Sequence, residues 1–146
     1  MLRASAIYAI IGGILLAGLE VRANWGDWQW WPWWLVDFVA AALLLLGGYR
    51  TLRSPLQGKP WLTAAWAFAF GMGWMSLAGN VELGPDPARD ARLGGGYIAL
   101  VGFGVASSLL ALLAALLGKP GLDAKGRPSG MDSRPGEPRQ NFQSKE

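Results

Sequence analysis

Four stretches of the chain carry almost no charged side chains: residues 4–21, 33–49, 61–79 and 95–117. Each is close to the ~20 residues that a helix needs to cross ~30 Å of hydrocarbon. None shows the two-residue alternation of a barrel strand, and an unpaired backbone amide costs several kcal/mol in lipid, so each run is predicted to be a spanning helix. The second run is the shortest, and it needs either little tilt or its flanking tryptophans to reach both headgroup layers. All nine prolines fall in connections, at a helix start or in the tail. Pro32 and Pro60 are expected to open the second and third helices, where the first turn has amide hydrogens to spare. Short links between the runs predict up-and-down connectivity.

The fold class expected is therefore all-α: a polytopic membrane protein, a four-transmembrane-helix up-and-down bundle over residues 1–117 with a disordered C-terminal tail over 118–146. The tail is rich in glycine, proline and charges of both signs and cannot bury enough apolar surface to offset its ordering entropy. It reads as a solvated end in preference to a lipid tether, because its basic residues are dispersed among acids. Composition agrees with the pattern, since 52% hydrophobic and 16% charged residues in a chain of 146 are too apolar for an ordinary soluble domain.

Charge predicts the orientation. Arg3 precedes the first run, Arg50, Arg53 and Lys59 lie between the second and third with no acid, and Lys119, Lys125 and Arg127 follow the fourth. The other two links hold Glu20, Arg22 and Asp27, and Glu82, Asp86, Arg89, Asp90 and Arg92, each with a net charge of −1. The positive-inside rule then places both termini in the cytoplasm of a bacterial-type inner membrane. A rival expectation is a secretory signal cleaved after Val21-Arg22-Ala23, leaving three helices. The length of the apolar run and the charge on Glu20 just before the cleavage position argue against it.

Four features carry candidate chemistry. Six of the nine tryptophans, Trp25, Trp28, Trp30, Trp31, Trp33 and Trp34, fall within ten residues. Indole prefers the headgroup zone, so an interfacial anchor is the first reading, with Asp27 capping a short half-immersed helix. An aromatic platform for a lipid, quinone-like ring or sugar is the second. Asp37 is an acid inside an apolar run, near the start of its helix, where the ~2.5–3.5 kcal/mol mid-bilayer penalty is reduced. It is expected to snorkel or bond an indole N–H, or else to form a proton or cation site with Glu20 at the end of the first run.

Small residues supply the third feature. Ala65, Ala69 and Gly73 form one four-spaced row on the third helix, and Ala67 with Gly71 a second. Ala99, Gly102 and Ala106, with Gly104, Ser108 and Ala111 nearby, repeat the theme on the last helix, and Ala9, Gly12 and Gly13 on the first. Such faces let helices approach closely, within one chain or between chains. Trp66, Phe70 and Trp74 make the fourth, an aromatic row read as lipid contact or core before cofactor box.

With no histidine and no cysteine, zinc sites, imidazole bases and thiolate chemistry are excluded. A phosphate-binding glycine loop with its lysine is absent, and an aspartyl dyad would need a second acid at depth. No cofactor, no metal and no nucleic-acid partner is expected, because the net charge of +3 is accounted for by the links and tail. In length and span number the chain resembles, in outline, small multidrug transporters and DoxX-like proteins. No motif of either can be quoted from it, and the mid-span acid of the former is missing from its first run.

The expectation is a small integral inner-membrane protein, non-enzymatic, an accessory, assembly or scaffold subunit working through helix packing. Its partners would be the lipid bilayer and a second copy or a larger membrane complex. Alternatives are a small homo-oligomeric transporter or channel using Asp37 and Glu20, and a lipid- or quinone-handling protein using the tryptophan cluster.

Overall fold

The computed structural model describes residues 1–24, 31–93 and 95–119. Among these the chain forms four long helices and one short one: α1 Leu2–Asn24, α2 Trp31–Arg53, α3 Pro55–Leu83, α4 Pro87–Arg92 and α5 Tyr97–Leu117. Three are long and apolar enough to cross a membrane, namely α1, the Trp34–Arg53 portion of α2, and α5. The longest, α3, is not among them. Its charged residues, Lys59 and Glu82, lie toward its ends, but glycine, tryptophan, threonine and serine dilute its apolar character in between.

Each long helix buries one face, but the face it exposes is just as apolar. Ile7 and Ile14 on α1 are 51% and 61% exposed, and Phe103 and Leu110 on α5 are 70% and 68% exposed. A helix apolar on all sides belongs in a large core or in lipid, and a chain of this size cannot enclose four such helices in a core of its own. α1 packs on α2, α2 on α3 and α3 on α5, while α5 returns to α1 over a smaller contact.

Helix ends differ from the sequence expectation. α2 runs to Arg53 and α3 begins at Pro55, so Ser54 alone joins them. Pro55, not Pro60, opens α3, and Pro60 lies inside the helix. The cause is the tightness of the hairpin: Gly58 is pressed against the backbone of Arg50 and Thr51, which fixes helical geometry before Pro60 is reached. Pro60 then removes one backbone bond, to the carbonyl of the exposed Leu56, close to an end where water or headgroups replace it. Pro32 does fall in the opening turn of α2.

The link after α3 contains the short helix α4, which the apolar pattern did not indicate. Gly84 and Gly95 both have φ near +75°, at 79° and 74°, and the left-handed turn at Gly95 delays the start of α5 to Tyr97. Asp90 holds this corner. Its Oδ1 accepts the Tyr97 N–H at 3.0 Å, capping α5, and its carbonyl accepts the N–H of Gly95 at 2.8 Å. Of the tail assigned to 118–146, Gly118 is buried at the end of α5 and residues 120–146 lie outside the described residues.

Packing is unequal along the helices. Leu2, Ala6, Ala9, Leu44, Leu62, Ala65, Trp66, Ala111 and Ala115 form one buried cluster, at the end that holds the α2–α3 turn and the C-terminus of α5. Here backbones meet directly. A Cβ on Gly47 would stand 2.9 Å from Leu62 Cα, one on Gly48 2.7 Å from the Ala6 carbonyl oxygen, and one on Gly58 would overlap the Thr51 backbone. Toward the opposite end Gly18, Gly71 and Gly79 have nothing within 4 Å.

Buried polar bonds lock the close-packed end. Ser5 Oγ on α1 donates to the Ala111 carbonyl on α5 at 2.9 Å and accepts from Trp66 Nε1 on α3 at 3.1 Å. Tyr8 stacks on Trp66, with ring centroids 5.4 Å apart. Lys59 Nζ donates to the carbonyls of Leu116 and Gly118, each at 2.9 Å, satisfying acceptors that the end of α5 leaves without helical partners. The energetic asymmetry is testable. Gly58→Ala should lower stability in mild detergent by ~1–3 kcal/mol or more through overpacking, whereas Gly71→Ala should stay within ~0.5 kcal/mol of the parent or exceed it. Equal unfolding midpoints for the two variants would contradict the hairpin geometry.

Candidate functional site

Glu20 and Asp37 are brought to the loosely packed end by the register of α1 on α2. Gly13 lies against Ala41, Leu44 and Leu45, and Gly48 against Ala6, Ala9 and Ile10. The facing stripes are therefore Ala6, Ala9 and Gly13 on α1, antiparallel to Gly48, Leu44 and Ala41 on α2. One more heptad step along each stripe reaches Leu16 and Glu20 on one helix, Asp37 and Trp34 on the other. Glu20 and Asp37 thus stand at the same level on facing stripes, and both are half-buried.

Other polar side chains lie toward the same end of the molecule. Asn24, one turn beyond Glu20, donates through Nδ2 to the Glu20 side-chain oxygen and to the Glu20 carbonyl, the latter at 3.1 Å. On α3 the inward row that begins with Ala65, Ala69 and Gly73 continues into half-buried Ser76 and Asn80, and Asn80 Nδ2 donates to the Ser76 carbonyl at 2.7 Å. Two carboxylates at one level offer oxygen acceptors on neighbouring helices. Among the described residues, no group of three or more metal-ligating side chains gathers anywhere.

The two small rows on α3 separate into different roles. Ala65 is buried, Ala69 packs against the buried cluster, and a Cβ on Gly73 would stand 3.1 Å from Val105 of α5. This row is consumed inside the molecule. Ala67 and Gly71 lie on the outer surface, with Ala64 one turn before them and nothing within 4 Å of Gly71. On α5, Gly102 approaches Leu77 at 3.9 Å, while Ala106 is exposed.

Of the tryptophan cluster, Trp25, Trp28 and Trp30, together with Asp27, lie outside the described residues, as do the side chains of Trp31 and Trp33. Trp34 is half-buried and meets Phe38 edge-on at 5.7 Å. The aromatic row of α3 also divides: Trp66 is buried in the Ser5 contact, whereas Trp74 is exposed and tilts against Phe70 at 6.5 Å.

Sequence reasoning missed the Ser5–Trp66–Ala111 connection. A signal was present, since Ser5 shares a helical face with Ala9 and Gly12, but its partners are distant in sequence. It also passed over Arg50 and Lys59 as orientation charges, although Arg50 lies over the Trp61 ring and Lys59 caps α5. Compared with known proteins, the chain matches no family model, no curated protein and no solved structure.

The register makes a direct prediction in a chain without cysteine. The pair Glu20→Cys with Asp37→Cys should be joined by a short bifunctional thiol reagent in membranes, whereas Ile11→Cys with Asp37→Cys, whose first position is exposed, should not. Cross-linking of the control pair alone would refute the shared level.

Proposed function

We propose that the protein is a four-span membrane subunit of the bacterial inner-membrane type, with both termini cytoplasmic, that acts by seating a transmembrane helix on the outer face of α3. Three spans follow from α1, α2 and α5. The fourth is supported by connectivity: α3 leaves α2 through one residue and lies along both α2 and α5, so it shares their path through the bilayer. Its lower apolarity is tolerable where two neighbours shield it.

The observation that carries the functional reading is the exposed row Ala64, Ala67 and Gly71. The lipid-facing surfaces of α1 and α5 carry large apolar side chains, among them Ile7, Ile11 and Ile14, and Phe103, Leu110 and Leu113. Between Trp61 and Trp74 the outer face of α3 instead presents a strip of side chains too small to fill a lipid interface, flanked by Trp61, Phe68 and Trp74. Small faces of this kind favour close helix–helix contact, driven by packing where water supplies no hydrophobic force. The reading is non-enzymatic, an accessory or scaffold role, and its occupant is a helix of a second copy or of a larger complex.

A specific observation favours a second reading, proton- or cation-coupled transport in a homo-oligomer, namely the shared level of Glu20 and Asp37. The lipid- or quinone-handling alternative rests on the tryptophan cluster, most of which lies outside the described residues.

Two experiments separate these roles. Gly71→Leu should dissociate the complex that co-purifies in mild detergent while leaving the stability of the chain within ~0.5 kcal/mol of the parent, since among the described residues a Cβ on Gly71 would meet nothing within 4 Å. A partnerless monomer in native membranes would overturn the scaffold reading. For transport, Asp37→Asn should abolish proton- or cation-coupled flux in proteoliposomes, and unchanged flux would remove that role.

A further inference from the structure

The close-packed end carries a second organised surface, built on cations that neither the helix-seating face nor the acidic pair uses, although its rings Trp61 and Phe68 also border the helix-seating face. Its described part holds Arg3, Arg50, Arg53, Lys59 and Lys119 and, among the described residues, no carboxylate. The cations are not equivalent. Lys59 is committed to the carbonyls of Leu116 and Gly118. Arg50 and Arg53, one turn apart at the end of α2, are instead held by aromatic rings. The Arg50 guanidinium carbon lies 4.5 Å from the centroid of the Trp61 ring, and Arg53 Nη1 donates to Tyr49 Oη at 3.1 Å.

These contacts fix the guanidinium groups without spending most of their donors. A guanidinium held over an indole face still has N–H groups that the ring contact does not use, in the fork geometry that matches two oxygens of one phosphate. Arg50, Arg53, Tyr49 and Trp61 are all exposed. Both rings belong to the residue types that settle at headgroup depth, and toward the bilayer interior the same two helices expose Leu46 and Phe68. Phosphate-binding geometry thus sits directly above an apolar surface.

From this arrangement we infer that the α2–α3 hairpin holds an anionic phospholipid of the adjoining leaflet, its headgroup phosphate on Arg50 and Arg53 and its acyl chains along the α2–α3 surface. Charge complementarity selects an anionic lipid over a zwitterionic one, and the exposed leucine and phenylalanine select a lipid over a soluble phosphate. The inference requires that this end meet the membrane surface, but not that α3 seat a partner helix or that Asp37 carry ions.

Native mass spectrometry of the full chain in mild detergent provides the test, with phosphatidylglycerol and phosphatidylcholine of identical acyl chains as probes at low salt. Phosphatidylglycerol should be retained preferentially. Arg50→Gln with Arg53→Gln should weaken it on the order of fivefold per arginine, with Arg22→Gln at the other end of the molecule having no effect. Arg50→Lys with Arg53→Lys, which keeps both charges, should give an intermediate loss and guards against misfolding of the glutamine pair. Equal retention of the two lipids, or an undiminished preference in both double variants, overturns the site. Displacement of the lipid by inorganic phosphate at matched concentration overturns the assignment to a membrane lipid.

Discussion

Helices that are apolar on every side have no polar face to set their rotation, so their arrangement depends on where their backbones are able to touch. In this chain the touching points are glycines. Gly58 seats on Thr51 and Arg50, Gly47 on Leu62, Gly48 on Ala6 and Gly13 on Ala41. Each permits an approach that a Cβ would prevent, and dispersion forces then act over short distances along the whole contact. The register of α1 on α2 and of α2 on α3 follows from these few positions, and the level of every other side chain follows from the register.

The close contacts are concentrated at one end, and the buried hydrogen bonds are concentrated with them. Ser5 joins three helices through Trp66 and Ala111, and Lys59 closes the C-terminus of α5. A buried indole N–H that loses its acceptor costs ~1–3 kcal/mol, which makes this end the stable half of the molecule. Toward the other end stand the half-buried polar side chains of Glu20, Asp37, Ser76 and Asn80, with Gly73 against Val105 as a close contact there.

Small residues alone did not reveal which surface would face outward. The rows Ala65–Ala69–Gly73 and Ala67–Gly71 look alike on a helical net, yet one is filled by the buried cluster and Val105 while the other lies open. The difference comes from where α2 and α5 sit around α3, a matter of neighbours that no single helix encodes. Arg50 and Lys59 teach the same lesson about charge. Along the chain both count only as positive charges beside a span, but one lies over an aromatic ring on α3 and the other bonds the end of α5.

The amino-acid sequence by itself determined that the chain is helical and apolar enough to enter lipid, and where its cations and acids divide. These properties are local, because hydrocarbon demands satisfied backbone bonds within each segment and charge resists crossing wherever it falls. It located Asp37 and Glu20 and the small-residue rows as candidates. Only the tertiary structure decided that the two acids share a level, that one row is spent inside and the other free outside, and that α3 starts at Pro55. Those outcomes depend on contacts between residues far apart in the chain, made at glycines whose partners become known only once the helices lie against one another.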